Sequence, residues 1–240
     1  MYPHVAPTPR RFARLRGAFG RDNYGIAIVL LGISYAVSVS TTGSTAAAAV
    51  VFVQIAVVWF VLRTAGARYR ARAISVLLMV AAGFAAVLQL VTGFRDAQPS
   101  AFIPLVSCLL YLTALAATVR HIAQRDVDLE TALGTVAAYL CLGFFFAFAY
   151  RTLAISQSGP FFGAQGDGPM RDVLFFSMTT LTTTGYGNLV PARNPGQSFA
   201  VLEMLMGQLF LIIIVGKVVA ALPGRRRAPE PGPGSGPGGS

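Results

Sequence analysis

Six long apolar stretches, separated by short polar or charged segments, constrain the fold of this chain most. A membrane-spanning helix needs about 20 predominantly apolar residues, with about 17 to 25 tolerated. The six stretches cover residues 24–40, 46–62, 73–92, 101–119, 132–150 and 199–222. Only the last of them holds ionisable side chains well inside it. We therefore predict an all-α membrane protein with six transmembrane helices.

Composition excludes soluble globular proteins and disordered proteins. Hydrophobic residues make up 55% of the chain and charged residues only 12%. Soluble domains are charged at about a quarter of their positions, and disordered chains are poor in hydrophobic residues. The formal net charge of +10 is then a sign of membrane topology, and we expect no nucleic-acid partner. Cys108 and Cys141 lie inside apolar stretches, which favours buried small side chains over a disulfide or a metal site.

Basic residues alternate between the two sides of the predicted helices. Counted segment by segment, 15 Lys and Arg residues fall on the side of both termini. The other side has Arg95, Arg151, Arg171 and Arg193. The positive-inside rule then places both termini in the cytoplasm, for a multi-pass protein of the cell membrane, inner or plasma. A twin-arginine export signal is a weaker alternative, because no clear small-residue cleavage site follows the N-terminal arginines.

The segment between the fifth and sixth apolar stretches, residues 154–198, is the most informative part of the sequence. A Gly/Pro-rich loop at 159–169 precedes a helix that we expect to begin at Asp172. A helix of about 12 residues rises about 18 Å and cannot cross a hydrocarbon core of about 30 Å. It should enter and leave on one side of the membrane, and the backbone that follows it should line a pathway.

Residues 183–188 follow this short helix and have the sequence Thr-Thr-Gly-Tyr-Gly-Asn. Gly185 and Gly187 can adopt positive φ at little cost, which lets successive carbonyl groups point the same way. Several chains around one axis would then stack rings of carbonyl oxygens that replace the hydration shell of an alkali cation. The short helix directs its negative C-terminal end, near Thr182, towards that cation.

The run 179–187, Thr-Thr-Leu-Thr-Thr-Thr-Gly-Tyr-Gly, resembles the pore helix and selectivity filter of the tetrameric potassium channel superfamily. It is particularly similar to plant inward-rectifying members. The resemblance implies that K⁺ ions bind in a filter built from Thr183, Thr184, Gly185, Tyr186 and Gly187. The ligands would be the carbonyl oxygens of the first four residues and the hydroxyl of Thr183. One filter segment per chain implies a homotetramer, with K⁺ in the filter and no organic cofactor.

The six-helix layout resembles that of voltage-gated channels, and it implies five regions along the chain. They are a basic cytoplasmic N-terminus (1–23), a four-helix sensor-like domain (24–119), a cytoplasmic linker (120–131), a pore domain (132–222) and a disordered cytoplasmic tail (223–240). Voltage sensing needs charges inside the membrane, each worth about 2.3 kcal/mol per 100 mV. Arg120 and Arg125 come only after the fourth apolar stretch. We therefore predict that the first four helices do not gate the channel by voltage.

The surroundings of the filter depart from the family pattern. Many members have Asp after the second filter glycine and a pore-helix Trp that donates a hydrogen bond to it. The matching positions are Asn188 and Phe176, and Phe cannot donate that bond. Phe175, its neighbour, is the other aromatic residue expected to support the filter. A less firmly held filter is therefore expected, with slow inactivation as one consequence.

Glu203 and Gly207 are four residues apart in the last apolar stretch and share one helix face. The resemblance implies that Gly207 is a gating hinge and that Glu203 lies near the base of the pore helix; close helix packing is the equal alternative for Gly207. Gly216 is a second candidate hinge. Tyr24 and Tyr150 lie near the ends of apolar stretches, which is typical of interfacial anchors.

A potassium-selective channel that conducts K⁺ passively is the function that these residues predict, and we expect no enzyme activity. Two alternatives are a weakly selective cation channel and a non-conducting membrane subunit that modulates other channels. Arginines at the cytoplasmic side favour contact with membrane lipids, including anionic ones. The use of Arg at almost every basic position, with Lys217 as the only lysine, suggests a bacterial source.

Overall fold

A computed structural model of the chain describes residues 23–40, 44–92, 101–125 and 129–221. Seven α-helices account for most of them, and these residues contain no β-strand. The helices are α1 (Tyr24–Ser40), α2 (Ser44–Thr64), α3 (Tyr69–Thr92), α4 (Phe102–Ala123), α5 (Leu129–Ser156), α6 (Met170–Leu181) and α7 (Gly196–Ala221). The all-α prediction is therefore confirmed for this part of the chain. The predicted N-terminal region up to residue 22 and the tail at 223–240 lie outside the described residues.

Each predicted apolar stretch forms a long helix, and the short helix α6 lies between the last two of them. Four helical segments are long and apolar enough to cross a membrane: Ala71–Leu88, Phe102–Ala123, Leu129–Ser156 and Gly196–Ile214. The apolar parts of the first two helices, Tyr24–Ser40 and Val50–Thr64, are shorter than the usual span. Length and apolarity therefore support four membrane-spanning helices within the described residues.

The first four helices are joined by hydrogen bonds between neutral side chains. Ser107 on α4 donates to Gln54 on α2 over 3.3 Å, and Ser75 on α3 donates to Thr113 on α4 over 3.2 Å. The hydroxyl oxygens of Ser34 and Tyr111 are 3.4 Å apart and share another bond. Such pairs satisfy polar groups that would otherwise be buried without a partner.

Helix α5 contacts α1 and α4 among the first four helices, and it also contacts the last two helices of the chain. The ring of Tyr111 on α4 stacks on Phe144 of α5, with 4.7 Å between centroids. Gly134 on α5 faces the ring of Tyr24 on α1, where an added Cβ would lie 3.0 Å from the ring. The α5 helix is thereby mostly buried, whereas α7 exposes a long apolar face in the single chain, including Leu205, Leu209 and Ile212.

Candidate functional site

Helix α6 begins directly after Pro169, whose extended backbone sets the entry into the first turn. The amides of Asp172 and Val173 donate to the Pro169 carbonyl, and the Asp172 carboxylate lies in the first turn, where the helix dipole favours negative charge. The helix thus starts two residues before the Asp172 predicted from the sequence. Its 12 residues agree with the predicted length.

Helix α6 packs closely against α5 at a glycine. A Cβ atom at Gly143 would lie 2.8 Å from both Sδ and Cε of Met178, a separation that real side chains do not reach. Ser177 also donates a hydrogen bond to the Gly143 carbonyl oxygen over 2.8 Å. The short helix is therefore held against α5 by packing and by a polar contact at the same point.

The predicted filter segment, residues 183–187, folds back on the C-terminal end of α6. The amides of Thr184 and Gly185 both donate to the Thr179 carbonyl, over 2.8 and 3.1 Å. Gly185 and Gly187 have φ values of 50° and 78°, a region that costs glycine little. Thr183 has a φ of 57° and is the only non-glycine residue with positive φ in the described part of the chain. For a β-branched residue this conformation is a marked outlier.

All filter residues from Thr183 to Gly187 are exposed in the single chain. Among them, Thr183 receives a hydrogen bond from Nε2 of Gln208 on α7, over 3.0 Å. The hydroxyl oxygens of Thr182 and Thr184 are 2.9 Å apart. The segment therefore presents hydroxyl and backbone groups on an open surface between α6 and α7. Gln208 is a contact residue that no sequence pattern had indicated.

The two aromatic residues expected behind the filter face different ways. The ring of Phe175 stacks on the filter residue Tyr186, with 5.7 Å between centroids and 13° between planes. Phe176 makes edge contacts with Tyr150 and Phe162, at 5.0 and 5.4 Å. The structure therefore brings Phe175 to Tyr186 of the predicted filter and packs Phe176 in a separate aromatic cluster. Asn188 is exposed, and its side chain makes no hydrogen bond to another described residue.

Glu203 on α7 is completely buried between α5 and α6. Its Oε2 accepts a hydrogen bond from the Tyr150 hydroxyl over 2.7 Å, and its Oε1 lies 2.6 Å from Oγ of Ser177. Tyr150 and Tyr24 are 0% and 1% exposed, so the prediction that they are interfacial anchors is wrong. Both were placed by depth along the helix, which carries no information on the face that a side chain occupies.

Gly207 lies against the end of α6. An added Cβ would collide with the carbonyl oxygen of Leu181, which also accepts a hydrogen bond from the Tyr139 hydroxyl over 3.0 Å. This contact supports the packing alternative for Gly207, and its hinge role stays a prediction. A Cβ at Gly216 would meet no atom within 4 Å. The described residues contain no group of His, Cys, Asp and Glu side chains suited to a metal ion.

Comparison with known proteins finds similarity to ion channels in this part of the chain. Residues 135–223 match a family model described as "Ion channel"; this range begins inside α5 and ends just after α7. A potassium channel, "Two pore potassium channel c" of Oryza sativa subsp. japonica, is 32% identical over 83 residues, which are 35% of this chain and 17% of the relative. The human "Voltage-gated delayed rectifier potassium channel KCNH5" is 39% identical over 56 residues, 21% of this chain and 6% of the relative.

The chain thus spans less than a fifth of the length of either curated relative. No solved structure gives a significant match. The matches nevertheless agree in kind, because the family is one of ion channels and both relatives are potassium channels. Together with the apolar helices, they indicate a membrane protein whose residues 135–223 are similar to ion channels.

Proposed function

We propose that this chain is one subunit of a homotetrameric potassium channel, which conducts K⁺ passively through a filter of residues 183–187. The observation that supports the proposal best is the arrangement of α6. A short helix, held between two long apolar helices, ends at an exposed loop whose two glycines have positive φ. Carbonyl groups presented in this way around a shared axis can replace the hydration shell of K⁺.

Four copies are needed to close the pore. The filter segment and the apolar face of α7 next to it are both exposed in the single chain, so both are available for contact with other subunits. In the proposed channel, α5 is the outer helix and α7 the inner helix, and K⁺ binds at Thr183, Thr184, Gly185 and Tyr186. Gly207 and Gly216 are the proposed points at which the inner helix bends.

All six long helices cross the membrane in this proposal, with both termini in the cytoplasm. The first four form a sensor-like domain without sensor charges: Arg63 and Arg120 lie at the helix ends, and the interhelical bonds in between are neutral. We therefore propose a channel that opens without strong dependence on membrane voltage. Cell-membrane lipids, anionic ones among them, would contact the arginines at the cytoplasmic ends.

A weakly selective cation channel is the second candidate. Two observations favour it: the positive φ of Thr183 and the exposed Asn188, whose side chain has no hydrogen-bond partner among the described residues. A filter with these features is less firmly held than one whose backbone is unstrained and whose flanking side chains are hydrogen-bonded. Selectivity for K⁺ over Na⁺ is therefore the property that separates the two candidates.

The purified full chain in liposomes loaded with K⁺ provides the test. We expect K⁺ flux, and a reversal potential that follows the K⁺ equilibrium potential when Na⁺ replaces K⁺ outside. A reversal potential near zero would favour the weakly selective channel. No flux would contradict both candidates and favour a subunit that modulates other channels.

Two glycine variants make this test specific to the filter. Gly185→Ala places a side chain at a positive φ and should abolish flux. Gly32→Ala is the matched control, because a Cβ at Gly32 would meet no atom within 4 Å, and it should conduct as the parent does. Flux that survives Gly185→Ala unchanged would mean that ions do not pass through this segment.

A further inference from the structure

The carboxyl group of Glu203 is buried without a charged partner. Glu203 is 0% exposed and lies in a helical segment apolar enough to cross a membrane. Within the described residues, Glu203 takes part in no ion pair, and its hydrogen-bond partners are the two hydroxyl groups of Tyr150 and Ser177. The other titratable group near it on α5 is the phenol of Tyr139. Burying an unpaired carboxylate among such neutral groups costs much more than burying a neutral carboxyl.

A count of protons at Ser177 indicates which form is present. Oγ of Ser177 lies 2.8 Å from the Gly143 carbonyl oxygen and 2.6 Å from Oε1 of Glu203. A serine hydroxyl has one proton to donate, and a carbonyl oxygen can only accept. If Ser177 donates to Gly143, the proton between Ser177 and Glu203 must belong to Glu203. An ionised Glu203 can only accept, so Ser177 would donate its proton to Oε1 of Glu203. The Ser177 Oγ and the Gly143 carbonyl oxygen would then lie 2.8 Å apart with no proton between them.

We propose that Glu203 is protonated and acts as the central link of a directional hydrogen-bond chain across three helices. Tyr150 on α5 donates to Oε2, Glu203 on α7 donates through Oε1 to Ser177, and Ser177 on α6 donates to the Gly143 carbonyl on α5. Every proton donated in this series of hydrogen bonds has an acceptor, and each oxygen atom that can only accept receives a hydrogen bond. Glu203 is thus a positioning residue that fixes α6, the helix that leads into the filter.

All four groups belong to one chain, so the link forms within a single subunit. Its effect on conduction rests on the proposed channel function, whereas the protonation of Glu203 does not. The two parts can therefore be tested separately.

Infrared difference spectroscopy on the full chain, parent against Glu203→Gln, tests the protonation directly. At neutral pH, we expect the difference spectrum to show loss of the C=O stretching band of a protonated carboxyl group. The same band should shift in Ser177→Ala, which removes the acceptor of the Glu203 proton. Loss of carboxylate bands in place of the carboxyl band would overturn the proposal, whether or not the protein conducts.

Rescue by the isosteric amide tests the positioning role. In Glu203→Gln, Nε2 can donate to Ser177 and Oε1 can accept from Tyr150, so thermal stability and K⁺ flux should stay close to those of the parent. Glu203→Leu has a similar size without polar atoms, and it should lose both. Equal damage in the two variants would mean that a negative charge is required, which contradicts the proposal. If Glu203→Leu does not fold, the stability of Glu203→Gln against the parent still decides between the two forms.

Discussion

The ring of Phe175 stacks on the ring of Tyr186 in the filter segment, with centroids 5.7 Å apart and planes 13° from parallel. A stacked aromatic pair contributes about 0.5–1.5 kcal/mol beyond the area it buries. Replacing Phe175 with Ala removes this contact and should speed the decay of K⁺ flux in liposomes. Phe175→Tyr, which keeps the ring, is the control and should decay at the parent rate.

Substitution of Phe176 should affect the stability of the fold, although sequence reasoning paired this residue with Asn188 behind the filter. Its ring is enclosed by Tyr150 and Phe162, so Phe176→Trp adds volume to a packed cluster and should destabilise the fold by about 1–3 kcal/mol. The thermal unfolding of the purified protein in detergent measures this. A Phe176→Trp variant that slows filter inactivation at unchanged stability would show that this side chain does reach the filter.

Substitution of Gly207 should act through packing. Because a Cβ at this position collides with the Leu181 carbonyl oxygen, Gly207→Ala forces α7 away from the end of α6, and we expect a lower unfolding temperature. Gly216→Ala is the control, since its Cβ meets no atom within 4 Å and alanine favours the helix. A Gly207→Ala protein that is as stable as the parent but gates differently would favour the proposed hinge role over packing.

The pair Gly143 and Met178 offers a test by double substitution. Gly143→Ala alone adds a Cβ that the flexible end of Met178 must avoid, and this crowding should offset the gain of about 1 kcal/mol that alanine brings to a helix. Met178→Ala opens the space that this Cβ needs, so the double variant should be more stable than the sum of the two single effects. Strict additivity of the changes in unfolding free energy would show that Gly143 and Met178 do not interact energetically.

Gln208 should influence the inner part of the filter. Its amide donates to the Thr183 hydroxyl over 3.0 Å, a bond worth about 1 kcal/mol. We expect Gln208→Leu to lower the K⁺ to Na⁺ permeability ratio, since the Thr183 side chain then loses its anchor. Thr183→Val in the Gln208→Leu background is the control, and it should cause a smaller further change than Thr183→Val does in the parent. Equal effects in both backgrounds would exclude a role for this bond.

Apolarity along the chain predicted the helices well, because the requirement for about 20 apolar residues per span dominates such sequences. The short helix α6 was also predicted, together with a length too small to cross the membrane. The helix begins at Met170 and not at the predicted Asp172, because a proline such as Pro169 is compatible with the position just before a first helical turn.

The partners of Glu203 show where sequence reasoning ends. Tyr150 and Ser177 are 53 and 26 residues away along the chain, and nothing in their local sequence points to a buried carboxyl group. A carboxyl inside an apolar helix does indicate that partners exist, but only the packing of α5, α6 and α7 identifies them. The same holds for Gln208, whose polar side chain acquires meaning only beside Thr183.

The exposure of residues 183–187 in one chain has a consequence for how the protein is made. In the proposed arrangement this segment lies at membrane depth, so a solitary subunit in lipid would bring its hydroxyl and backbone groups into contact with hydrocarbon, where each unsatisfied group costs several kcal/mol. In the proposed tetramer, association with further copies relieves that cost, and the isolated chain is the least stable species during biosynthesis. Low expression should therefore leave a larger share of newly inserted chains unassembled and open to degradation, so the yield of mature protein should rise more steeply than in proportion to synthesis.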